Sequence, residues 1–180
     1  MRFMQLLCEN HNHELQDKLR YQETGNSVNV VEVITKIFGK YLKIFNKRNL
    51  RLGIQLLTTM IEIIQGPNKA NQNKLVEDKV VDNVRDIMFF MRKDENLEKK
   101  GIKKNDDEIV TFNTKVMILL TSLLEGNSDY DLTLKIYKSC EFTILTDRLR
   151  CIFIQFCRDT LNADLEVLSY DQIFKIIRSE

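Results

Sequence analysis

The opening of the chain, FMQLLCENHNHELQDKLR from Phe3 to Arg20, sets Cys8, His11 and His13 within six residues. Thiolate and imidazole are the preferred zinc donors, so three of them in close succession could begin a metal site. The spacing Cys-x2-His-x-His offers no fourth ligand nearby and follows no common structural zinc pattern, and the sequence therefore predicts no metal here. Cys8 reads instead as a packed thiol, with Asn10 or Asn12 capping the helix that follows and Leu15 and Leu19 on its inner face. The triplet His11-Asn12-His13 spells a nuclease motif, but that chemistry needs a ββα metal fold and no strand precedes it.

Other chemistries fare no better. With two histidines, and no G-x-S-x-G, P-loop or dinucleotide pattern among the six glycines, the chain is expected to be no enzyme, with no catalytic residue and no cofactor. The acidic clusters Asp106-Asp107-Glu108 and Asp129 to Asp131 lack the alternating oxygen ligands, central glycine and terminal Glu of a calcium loop, and read as caps and solvated faces. Lys99, Lys100, Lys103 and Lys104 could touch phosphate, yet Glu98, Asp106 and Asp107 stand among them, which favours a solvated linker.

The elements that would position these residues are helical. From Val30 to Phe45 the apolar residues Val30, Val31, Ile34, Ile37, Phe38, Tyr41, Leu42 and Phe45 form the stripe of an amphipathic helix. Leu52, Leu56, Leu57, Met60, Ile61 and Ile64 repeat it, and Gly66-Pro67 predicts a stop near Gln65. A third run is read from Leu75 through Met91, and the charged stretch at about 93–107 as a flexible loop. The run from Ile109 to Leu124 predicts a helix buried on most sides. Asp129 is a candidate N-cap for a short helix over Leu132 to Tyr137; a longer helix is expected over Phe142 to Cys157, and Ser169 caps a last one through Ile177. No strand alternation appears. The fold class is all-α, stacked helical hairpins of armadillo or HEAT type in an irregular solenoid, with 1–180 as a single domain.

Composition sets the outer bounds. At 180 residues, 43% apolar and 29% charged, the chain can bury a sizeable core. Its 27 basic and 26 acidic residues nearly cancel, so no overall field would hold nucleic acid. Cys8, Cys140, Cys151 and Cys157 form no CxxC pair and suit reduced thiols in a cytosolic compartment. No signal peptide is read, and no run approaches the ~18 apolar residues of a membrane span.

Two blocks carry a resemblance. Leu6, Leu7, Cys8, Glu9, Asn10, His11 and Asn12, together with Gln65, Gly66, Pro67, Asn71, Gln72 and Asn73, resemble the signature of the homology-associated domain of ryanodine and inositol trisphosphate receptors. The likeness is strong over 3–20 and 55–77, weaker through 109–150, and fails at the charged loop and over the last thirty or so residues. The inositol trisphosphate receptor is the nearer of the two, and a divergent, protist source is expected. The resemblance implies a cytosolic all-α piece of a tetrameric calcium-release channel, on the cytoplasmic face of the endoplasmic reticulum or a related store. Its partners would be other domains of the same polypeptide and neighbouring subunits of a homotetramer. Its task would be to transmit conformational change between the ligand-binding region and the pore, without itself entering the membrane. A free-standing helical interaction scaffold is the alternative.

Overall fold

The computed structural model describes residues 1–139 apart from 24, 104 and 105. These fall within one compact unit, Met1–Cys140. The expected helices over Phe142 to Cys157 and from Ser169, with Cys140, Cys151 and Cys157, lie outside the described residues.

In chain order the helices are α1 (Arg2–Cys8), α2 (His13–Arg20), α3 (Val30–Lys43), a 3-10 turn (Lys47–Asn49), α4 (Leu50–Ile64), α5 (Lys69–Glu77), α6 (Val80–Met91), α7 (Asp94–Lys99), α8 (Asp107–Leu124) and α9 (Tyr130–Ser139). No strand occurs among the described residues, so the class is all-α as expected. Short polar side chains start the helices. Asn12, Asn29, Asn68 and Asp106 each accept a backbone N–H of the first turn of α2, α3, α5 and α8. Asp129 does the same for α9, accepting from Asp131 N at 2.9 Å. Each such cap stabilises its helix by about 1 kcal/mol.

The core forms around α4. This helix buries Leu50, Leu56, Leu57, Met60, Ile61, Ile63 and Ile64, and it packs against α8, α1 and α3. Across it, α8 buries Ile109, Phe112, Val116, Leu119, Leu120 and Leu123. Val110 faces outward, and Met117 and Ile118 are half-buried, so α8 is less enclosed than its sequence suggests. Phe45 and Phe112 meet with ring centroids 5.4 Å apart, and Tyr41 joins them edge-on to Phe45 at 6.0 Å.

Two expectations need correcting. The run from Leu75 to Met91 is two helices, broken at Asp78 and at Lys79, which is left-handed with φ 65°. Val76 and Val80 stand four apart on either side of the break, so the apolar period continues although the helix does not. The stretch at about 93–107, read as a flexible loop, contains α7. Leu97 and Ile102, the apolar residues of that charged run, are both buried and anchor it. Lys47 clamps it further: its N–H donates to the Lys100 carbonyl at 3.1 Å and its ammonium pairs with Asp106 at 2.9 Å. Glu95 in the first turn of α7 and Lys99 at its end suit the helix dipole.

Candidate functional site

The first block makes a corner. Helix α1 ends at Cys8, whose side chain is fully buried, and Glu9 leaves the helix with ψ 152°. Asn10 and His11 then both take left-handed backbone, φ 59° and 56°. Asn and His are among the few L-residues that visit this region readily. Asn12 closes the corner by capping α2, its Oδ1 accepting from Leu15 N at 3.2 Å. Leu7 and Glu9 are half-buried, while Asn10, His11, Asn12 and His13 are exposed.

The second block meets it. Gly66 ends α4 with φ 92°, and a Cβ built there would stand 2.6 Å from His11 Cβ and 2.9 Å from its Cγ. The next residue repeats the contact on a third turn: a Cβ on Gly126, φ 61°, would come within 2.3 Å of Pro67 Cγ. The α1–α2, α4–α5 and α8–α9 turns therefore stack, His11 on Gly66 and Pro67 on Gly126. Each approach is close enough that only a glycine fits beneath it.

Buried amides fasten the stack from within. The last carbonyls of a helix lack intrahelical donors and need partners from elsewhere. Gln16 Nε2 donates to the carbonyls of Glu62 at 2.8 Å and Gln65 at 2.9 Å, at the end of α4. Asn71 Nδ2 donates to the Ile63 carbonyl at 3.0 Å and to the Gln16 carbonyl at 3.1 Å, and its Oδ1 accepts from Arg20 at 2.8 Å. Gln72 Nε2 reaches the other way, to the carbonyls of Ser122 at 2.8 Å and Glu125 at 2.9 Å that end α8. Asn68 caps α5 and donates to Asp17 at 3.0 Å. Gln16, Asn71 and Gln72 are all fully buried. Neighbouring residues of α5 thus hold two different helix ends.

Of the motif residues read from the sequence, Cys8, Asn71 and Gln72 lie in the core of this assembly, and Gln65, Gly66 and Pro67 form its middle turn. The sequence reading missed Gln16 and Asn68, and it placed Gly126 in a turn without its contact to Pro67. Leu15 and Leu19, expected to line the inner face of α2, are only half-buried, and Gln16 takes the inward position between them. A polar residue there is concealed from hydrophobic periodicity, and its need for partners shows only once α4 ends beside it.

Burial pushes the Cys8 thiol up to about 11, with the Glu62 carboxylate adding to the effect, so the group stays protonated and unreactive near neutrality. Burial also raises Glu62, as does the charge of Glu9, against the opposing pull of Lys115 and His11. No group of three or more His, Cys, Asp or Glu side chains able to hold a metal ion occurs among the described residues. Nor is any helix among them long and apolar enough to cross a membrane. Against known families, residues 1–88 match the model described as RyR and IP3R Homology associated. The match covers both motif blocks and α1 to α5, and ends within α6, before the α8 carbonyls that Gln72 holds.

Proposed function

Residues 1–88 carry a RyR and IP3R homology associated domain, and from that premise we propose that the chain is a cytosolic structural and coupling module of an intracellular ligand-gated calcium-release channel. In this reading it relays conformational change between a ligand-binding region and a pore, in contact with other domains of its polypeptide and with neighbouring subunits of a homotetramer. It works at the cytoplasmic face of the endoplasmic reticulum or a related calcium store, and it performs no catalysis.

The observation that supports a relay is the stack of turns. Gln16, Asn71 and Gln72 each satisfy carbonyls of helices other than their own. Sliding one helix end past another would leave buried carbonyls unpaired at about 1–3 kcal/mol apiece. The turns therefore favour moving together, as a lever needs, while the helices leading from them can pivot. The test is made in the intact channel that contains this chain. Gln72→Leu, which cuts the tie between α5 and α8, is expected to weaken ligand-evoked calcium release from store vesicles while ligand binding stays unchanged. Release that is unaltered in a variant with loosened α8 contacts, or a full-length protein with no pore, would favour a free-standing scaffold.

A further inference from the structure

Helix α3 is apolar on two sides. Val31, Ile34, Phe38 and Tyr41 face the core and are buried, as an amphipathic helix requires. Val33, Ile37 and Ile44 lie about 100° around the helix from that face and are 43%, 40% and 60% exposed. Scattered exposed aliphatics are ordinary on a protein surface, but at 100° per residue these three fall within one narrow band. That band runs along the helix for about 16 Å at 1.5 Å per residue. Lys36, Lys40 and Lys43 follow one flank of it at i, i+4 and i+7. Lys36 bonds to Glu32. Lys40 and Lys43 form no ion pair among the described residues.

We infer that the outward face of α3 is a docking surface for an amphipathic helix of a partner protein that carries an apolar stripe with a row of carboxylates along one edge. A straight band of single-residue width is the ridge another helix packs against. Lysines at one-turn intervals meet carboxylates at the same intervals on a parallel or antiparallel partner, and two of the three pair with no carboxylate among the described residues. An anionic bilayer would reward basic residues in any arrangement and gives no reason for this alignment. Helix-in-groove recognition reads such spaced anchors, with the charges setting orientation and choice of partner. The inference stands independently of the channel reading.

The test uses the 180-residue chain and two fluorescently labelled synthetic peptides. Both are helix-stapled, about 16–18 residues long so as to overhang the band at both ends, and identical in their leucine stripe. One carries a flanking row of Glu, the other Lys at the same places. Fluorescence anisotropy should show the Glu peptide binding at least about tenfold more tightly than the Lys peptide. Ile37→Glu should reduce that binding by about tenfold or more. Lys40→Glu with Lys43→Glu should remove the preference between peptides, and the thermal melt should not change in either variant, since these positions face water. Equal binding of the two peptides, or binding indifferent to both variants, overturns the inference. So does co-sedimentation with phosphatidylserine vesicles without peptide binding, which would assign the face to a lipid surface. Dimerisation abolished by Ile37→Glu would assign it to a second copy of the chain, and likewise overturns it.

Discussion

His11 lies directly over Gly66, so close that a Cβ on the glycine would stand 2.6 Å from the Cβ of the histidine. Residues 55 apart in sequence thus form one joint, each constraining the other: His11 has a left-handed backbone, φ 56°, and so does Gly66, φ 92°. Gly66→Ala meets both a conformational cost and a clash, and should destabilise the fold by about 2 kcal/mol or more. His11→Gly removes the atoms in the way and relaxes its own backbone. Combined with Gly66→Ala in a double-mutant cycle by chemical denaturation, it should recover roughly 1 kcal/mol of that loss. Strict additivity of the two substitutions would show that the contact is not the constraint.

The amides make a sharper test, because they differ in which helices they join. Asn71→Ala leaves the Ile63 carbonyl without a partner and takes one hydrogen bond each from the Gln16 carbonyl and from the Arg20 guanidinium, which keeps its ion pair with Asp17, a loss of about 2–3 kcal/mol. Gln72→Leu fills the same space but strands the carbonyls of Ser122 and Glu125, and should cost about 2 kcal/mol. Hydrogen exchange separates them: Asn71→Ala should expose amides near the α4–α5 turn, and Gln72→Leu those at the end of α8. Identical exchange patterns would contradict the assignment of one amide to each helix end.

What the sequence could disclose follows from what periodicity measures. The stripes of α3 and α4 and the stop at Gln65 were legible because an apolar face and a Gly-Pro pair are local signals. Asn12 and Asp129 were legible for the same reason. Gln16 was not, since a buried polar residue is explained by carbonyls 46 and 49 residues away. The break at Lys79 was hidden because Val76 and Val80 keep the period across it, and α7 because Leu97 and Ile102 are too few to make a stripe. The motif residues themselves were visible as a resemblance, yet their meeting through Gly66 and Gly126 belongs to tertiary structure alone.

Tyr41 and Gly53 show two costs held in balance inside the core. The Tyr41 hydroxyl is buried with no hydrogen-bond partner among the described residues, and burial raises its pKa. Tyr41→Phe should therefore stabilise the fold by about 1 kcal/mol. Gly53 sits within α4, where alanine would ordinarily be favoured by about 1 kcal/mol. A Cβ there would come 2.2 Å from Tyr41 Oη and 2.7 Å from Phe112 Cε2, between two packed rings. Overpacking of this kind costs typically 1–3 kcal/mol, and the clash should win. Gly53→Ala is expected to lower the melting temperature, and less so in the Tyr41→Phe background, where the nearest atom is gone. A higher melting temperature for Gly53→Ala alone would mean that α4 can shift to admit the methyl.

Glu62 ties this architecture to pH. Burial beside the Glu9 carboxylate raises its pKa above the ordinary 4.5, despite Lys115 and His11 nearby. A raised carboxyl pKa means that the folded chain holds a proton the unfolded chain gives up. Below 4.5 both states are protonated and the site exacts no penalty. As pH climbs from there through the folded-state value, the unfolded state binds fewer protons than the native one, and stability falls. It stays lowered above that window, near neutrality included. Glu62→Gln keeps the shape and removes the charge, so the variant should be the more stable of the pair near neutral pH. Its advantage should shrink as pH is lowered below 4.5, where the parent's carboxyl is itself neutral. Urea denaturation of both proteins across this range reads the difference directly, and an advantage that grew with acidity would reverse the assigned direction of the shift.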